Sequence, residues 1–170
     1  MSFFNLFQDV PKDDDLLKEL RNHWRHTIED EGGQCPVCDR WGRVYARALN
    51  RTMAHAIIWI CNQDGDKDGW VDVPVSGPTW LLRSNQLSSL RWWDLVERKE
   101  NVNLKNKFSG LWRPTALGKS FAKGNAKVPK KVFTYKGEVE GTSNETVEIG
   151  DCFEDTFDYQ EIMSKYPPKD

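Results

Sequence analysis

The sequence predicts an α+β fold, and three observations carry that reading. Leu16, Leu17, Leu20, Trp24 and Ile28 recur at the spacing of one helix face. Residues 70–74 and 132–135 instead alternate and are rich in β-branched and aromatic side chains, which favours strands. Residues 79–124 read as helix, strand, long polar loop and strand, and the rest of the chain is arranged around that phrase. Three parts follow: an N-terminal helix with a Cys-x-x-Cys knuckle (1–48), a central domain (49–124), and a C-terminal hairpin with a short helix and an acidic tail (125–170).

With 170 residues, 38% of them apolar and 29% charged, the chain has material for one small core and an appendage. Eight Trp enlarge that core, because each ring buries a large area. No apolar run approaches the roughly 18 residues of a membrane span. The opening Met1-Ser2-Phe3-Phe4 also lacks the basic start of a signal peptide. A cytoplasmic location is expected, and with it reduced thiols or metal ligands in place of disulfides for the four Cys.

The net charge of −2 conceals a strong segregation. Residues 98–136 hold 11 basic and 1 acidic side chains, a local +10, whereas residues 137–170 hold 2 and 10, a local −8. A basic block of this kind suits phosphates. The acidic tail can fold over it or repel DNA, and both segments also have a plain reading as solvated surface.

Residues 8–31 form the first helix, started by Asp13, Asp14 and Asp15, whose carboxylates suit the positive helix end, and stopped by Gly32-Gly33. His23 and His26 share a face three residues apart. In Cys35-Pro-Val-Cys38 two thiols can face one point over a tight turn, the knuckle of structural zinc sites, and Gly42 fits just beyond it. His23, His26, Cys35 and Cys38 are the expected Zn²⁺ ligands, with His55, Cys61 and Cys152 as further candidates. The competing readings are a reduced pair acting as small apolar residues and a redox pair. The redox reading is weaker, because no helix follows to lower the thiol pKa.

Residues 49–62 form a second helix, with Leu49, Met53, Ala56, Ile57 and Ile60 on one side. Asp64-Gly-Asp66-Lys-Asp68-Gly69-Trp-Val71-Asp72 matches most of a calcium loop, but its twelfth position is Val75 in place of a bidentate Glu. An acidic turn is therefore expected, and calcium is not. A strand over 70–74 and a helix from Pro78 come next, then an apolar helix over 87–93 whose polar positions are Gln86, Ser88, Ser89 and Arg91. Asp94 tolerates a left-handed backbone and is placed to end that helix. Residues 98–109 read as an exposed loop. Residues 110–121 read as a strand, a turn, and a second strand or a turn of helix.

Leu87, Leu90, Leu95, Val96 and Glu97, then Trp112, Arg113, Thr115, Gly118 and Phe121, resemble the second half of a winged-helix domain of the MarR type. The family phrase has Gly where Asp94 stands and Leu where Pro114 stands, and the resemblance covers about the middle half of the chain. It implies a winged helix-turn-helix core. The 49–62 helix would be its first, 87–93 its recognition helix and 98–109 its wing, with double-stranded DNA as partner. On that reading Gln86, Ser88 and Arg91 face DNA, with Gln86 and Arg91 at base edges, while Lys105, Lys107, Arg113 and Lys119 meet phosphates. The alternative is a protein-interaction module, for example a phage-type anti-defence or host-takeover factor, with Trp92 and Trp93 as anchors.

Beyond the wing, a hairpin is expected to turn at Lys136-Gly137, with a return strand at 146–149. A terminal short helix would dock through Phe153, Phe157, Tyr159 and Ile162. No phosphate-cradling Gly loop, nucleophile elbow or zinc-protease motif occurs, so a non-enzymatic protein, a small transcriptional regulator, is expected.

Overall fold

A computed structural model of the chain describes residues 13–101 and 109–156, the side chains of 13 and 154–156 excepted. Helix and sheet are mixed, as an α+β fold requires. The described chain separates into two compact units. The first runs to Tyr45 and includes Thr134–Gly137; the second takes Ala46–Phe133 and the residues from Glu138 onward.

In the first unit, helix α1 (Asp13–Asp30) is closed by Gly32, whose left-handed backbone (φ 82°) lets its N–H donate to the Thr27 carbonyl at 2.9 Å. Strands β1 (Gly33–Gln34) and β2 (Trp41–Gly42) then pair antiparallel and pack on the helix. Contact is close: a Cβ at Gly42 would stand 2.8 Å from the Trp24 ring. Trp24 also meets Tyr135 edge-on, with centroids 6.1 Å apart. The expected buried stripe is only partly realised. Ile28 is buried, but Leu16 and Leu17 are 48% and 39% exposed, because the hairpin covers Trp24, Thr27 and Ile28 and not the first turns of α1.

The second unit is built on α2 (Arg51–Cys61), which is buried from Met53 through Ile60 apart from half-buried His55. Asn50 starts it, its side-chain oxygen accepting the Met53 N–H at 3.0 Å. The acidic stretch that follows is a turn, as expected. The Asp66 carboxylate accepts the N–H groups of Asp68 and Trp70 at 2.9 and 3.0 Å, and Gly69 is left-handed. The strand expected over 70–74 shrinks to β4 (Val71–Asp72). Asp72 caps a helical turn, α3 (Val73–Ser76), by accepting the Val75 N–H, and Pro74 suits a first-turn position.

Two more turns follow, α4 (Thr79–Leu82) and α5 (Gln86–Ser89), and the chain tightens into a 3-10 turn over Leu90–Trp93. The single helix expected over 87–93 is thus two short pieces. Asp94 ends them with φ 57° and ψ 29°, and β5 (Val96–Arg98) begins almost at once. Strand β6 (Leu111–Pro114) pairs with β5 on one side and β4 on the other, giving the sheet order β4-β6-β5. Helix α6 (Ala116–Ala122) follows, capped by Thr115.

A second sheet has the order β3 (Tyr45–Ala48), β8 (Lys131–Tyr135), β9 (Glu138–Thr142). The β8–β9 turn falls at Lys136-Gly137, both with positive φ, as a tight hairpin demands. Strand β7 (Val128–Pro129) pairs with β10 (Thr146–Val147), and a 3-10 helix covers Gly150–Thr156. Of the C-terminal part expected over 125–170, residues 157–170, with Phe157, Tyr159 and Ile162, lie outside the described residues. Val128, Val132, Ile149 and Phe153 all lie in the core cluster of α2, Leu87, Leu90, Leu95 and Phe121. Among the described residues no helix is long and apolar enough to cross a membrane.

The left-handed residue at the helix-to-strand junction gives a first test. Asp94→Val should lower stability by about 1–2 kcal/mol, since a β-branched side chain clashes in that region. Asp94→Gly should cost nothing. Urea unfolding monitored by circular dichroism separates the two, and equal effects would refute a backbone cause.

Candidate nucleic-acid interface

The basic hairpin grows directly from the end of a short helix, and register decides what each strand presents. Val96, Glu97 and Arg98 stand opposite Pro114, Arg113 and Trp112. Side chains alternate across a strand, so Arg98 shares a face with Trp112 while Glu97 shares the other with Arg113. The Arg98 guanidinium lies over the Trp112 ring, 5.3 Å from its centroid. Its pKa is lowered, first by partial burial and then by the positive charge of Arg91. Arg91 is exposed on the 3-10 turn that leads into the strand. Positive charge on both elements favours a bound anion.

The opposite face is more self-contained. Arg113 pairs with Glu97, donates to the Asp68 carbonyl at 3.1 Å, and stacks 4.3 Å from the Trp70 ring centre. Lys99 lies 5.6 Å from the centre of the same ring. Arg113 was expected at a phosphate, but its guanidinium is committed to holding the hairpin to the acidic turn.

The other expected contacts divide in the same way. Gln86 is half-buried, and its side-chain oxygen accepts from Asn50 at 3.0 Å, so it ties α5 to the start of α2. The Ser88 hydroxyl donates to the Asn85 carbonyl at 2.8 Å. Lys119 is exposed on α6, its charge acting with that of Lys123 on Cys61. Lys105 and Lys107 lie outside the described residues. Part of the acidic C-terminal stretch does fold over the basic block: Lys127 pairs with Glu148 at 2.8 Å and Lys130 with Glu145 at 3.1 Å. These pairs are exposed and add little to stability, but they reduce the local field. Arg98, absent from the expected set, is the residue that register brings forward.

The two tryptophans separate sharply. Trp93 is 4% exposed and its indole donates to the Pro129 carbonyl at 2.7 Å. Trp92 is half-buried under the Arg47 guanidinium, 5.3 Å from its ring centre. Trp93 is therefore a core residue and not a surface anchor.

The thiols are likewise sorted. Burial pushes Cys61 up to about 12, and Cys152 up to about 11 with help from Asp151. Cys35 and Cys38 sit on the β1–β2 turn. The Cys35 N–H donates to the Arg40 carbonyl at 2.8 Å, and the Asp39 N–H to the Cys35 carbonyl at 2.9 Å. Asp39 takes the left-handed conformation (φ 56°) that tightens the turn. The Cys35 pKa is lowered, chiefly by the backbone N–H groups of Val37 and Cys38 directed at its sulfur. The expected four-ligand set is not assembled. His23 and His26 line a hollow with Thr27, Asp30 and Glu31, away from both thiols. Among the described residues no three His, Cys, Asp or Glu converge.

Compared with protein-family models, with characterised proteins and with solved structures, the chain gives no match in any of the three.

Proposed function

We propose that this is a non-enzymatic DNA-binding protein with a winged-helix core, a small regulator of transcription that grips phosphates through its basic hairpin. The observation that carries the reading is the Arg98 guanidinium set over Trp112 at the root of the β5–β6 pair, with Arg91 exposed on the 3-10 turn that precedes β5. One guanidinium comes from the end of the helix that would enter the groove, the other from the root of the wing. A phosphate contacted from both elements would be held by charge-assisted hydrogen bonds. The element order α2, β4, α4, α5, β5, β6 and the sheet order β4-β6-β5 support the same assignment. Trp112 beneath Arg98 adds an aromatic support that fixes the guanidinium plane.

Gln86 and Ser88 are satisfied internally, so base readout rests on fewer groups than phosphate contact does. Modest sequence preference and steep salt dependence are therefore expected. Titrating labelled duplex DNA by fluorescence anisotropy across a salt series tests this. Arg91→Ala and Arg98→Gln should each weaken binding and reduce the slope of log affinity against log salt by roughly one. Lys130→Ala, whose partner is Glu145, should leave it nearly unchanged. Absence of binding at low salt would overturn the proposal.

A further inference from the structure

The basic block begins at Arg98, yet a guanidinium from much earlier in the chain is carried to the turn that precedes it. Arg47 lies on β3, in the part of that strand that belongs to the second unit, and it is exposed. Its guanidinium stands over the Trp92 ring, 5.3 Å from the centroid. Trp92 directly follows Arg91 on the 3-10 turn, so Arg47 is placed beside the helix end that the DNA-binding reading puts in the groove. Two further contacts fix this placement. The Leu49 N–H donates to the Lys130 carbonyl at 3.4 Å, and the Trp93 indole donates to the Pro129 carbonyl at 2.7 Å. The end of β3 and the 3-10 turn are thus held by two adjacent residues, Pro129 and Lys130.

We infer that Arg47 is a further phosphate contact, so that the DNA-binding surface runs from the hairpin across the 3-10 turn onto β3, a strand outside the winged-helix elements. That assignment rests on the DNA-binding reading and names the part of the ligand met there, the sugar-phosphate backbone flanking the groove. The setting repeats that of Arg98, whose guanidinium is also 5.3 Å from a tryptophan centroid. Stacking and phosphate contact are compatible in one arginine, because the ring meets the guanidinium face while N–H donors point outward around its edge. A side chain already held against a ring also loses less freedom when it meets an anion. Arg47 supplies affinity and orientation and not base preference, since a backbone contact carries no sequence information directly.

The full-length chain and its variants are titrated against labelled duplex DNA by fluorescence anisotropy across a salt series. Arg47→Gln should weaken binding by roughly five- to tenfold near 0.1 M salt and reduce the slope of log affinity against log salt by about one. Arg47→Lys, which keeps the charge, should retain the slope and most of the affinity. Trp92→Leu removes the ring and not the charge, so it should weaken binding with the slope unchanged. An Arg47→Gln, Arg98→Gln double variant should lose about two from the slope. Circular dichroism establishes that each variant is folded, and Arg47→Ala replaces Arg47→Gln if the latter is not. A slope left unchanged by Arg47→Gln while Arg98→Gln lowers it would overturn the Arg47 assignment and leave the DNA-binding reading standing. Equal losses in Arg47→Gln and Arg47→Lys with no change of slope would mark a structural role and overturn it too. No binding by the unaltered chain at low salt would overturn both, so the two failures are told apart.

Discussion

Replacing Trp93 by alanine is expected to lower the stability of the second unit by about 3–5 kcal/mol, enough to leave a marginal domain largely unfolded. The ring is 4% exposed within the core cluster, so its removal leaves a large cavity that close-packed neighbours only partly fill. It also holds distant parts of the chain together. Its indole N–H reaches the carbonyl of Pro129 at 2.7 Å, fastening the 3-10 turn to β7, which pairs in turn with β10. Trp93→Phe keeps most of the apolar volume but loses that hydrogen bond, and should cost only about 1–2 kcal/mol. Trp92→Ala, at a half-buried ring, should cost less than Trp93→Ala. Urea titrations of the three variants give the order directly. A stable, folded Trp93→Ala protein would show that the ring is not a core element and would restore it as a candidate partner anchor.

The contrast between Trp92 and Trp93 shows where sequence reading stops. Leu87, Leu90, Leu95, Val96, Trp112 and Phe121 could be recognised as a connected apolar phrase, and all six are buried. Asp94 could be placed as a left-handed helix end from its chemistry and its neighbours, and it is one. Which of two adjacent tryptophans faces inward depends on the tightening from α to 3-10 winding after Ser89, and no local preference signals that change. The C-terminal strands were harder still. The return strand expected at 146–149 is found at Thr146–Val147, but its pairing with Val128–Pro129, and the place of Val128 and Ile149 in the common core, depend on contacts distant in sequence. In α1 the period was correct and the burial was not, because a hairpin covers only part of the helix. The candidate interface divides in the same manner. A basic hairpin follows from charge counting. The different settings of Arg98 and Arg113 follow from strand register, which sets Arg98 beside Trp112 and Arg113 between Glu97 and Trp70. Gln86 looked available for DNA until the cap of a helix 36 positions earlier claimed its oxygen.

Gly118→Ala should cost about 3 kcal/mol or more, an unusual penalty for one methyl group. Within a helix, alanine normally gains up to about 1 kcal/mol over glycine, so the sign here is reversed by contact. A Cβ at this position would lie 2.0 Å from the Leu95 carbonyl oxygen and 2.9 Å from its carbon. That carbonyl cannot easily yield. It accepts the Thr115 N–H at 3.1 Å, and Thr115 is the residue that starts α6: its hydroxyl accepts the Gly118 N–H at 2.9 Å and donates to the Asp94 carbonyl at 2.6 Å. Moving Leu95 away therefore breaks the junction between the hairpin and α6, whereas moving α6 away opens a gap against Ile57, whose Cδ1 stands 3.2 Å from the same point. Either response should shift Arg91 relative to Arg98, since Asp94 and Leu95 link the turn carrying one to the strand carrying the other. The variant is expected to unfold at markedly lower urea concentration and to bind DNA more weakly even where it remains folded. Thr115→Ala, which removes the cap but adds no clash, should lose only about 1 kcal/mol. If Gly118→Ala matched or exceeded the stability of the unaltered chain, the close approach of α6 to Leu95 would be wrong, and with it the placement of the basic hairpin beside the short helix.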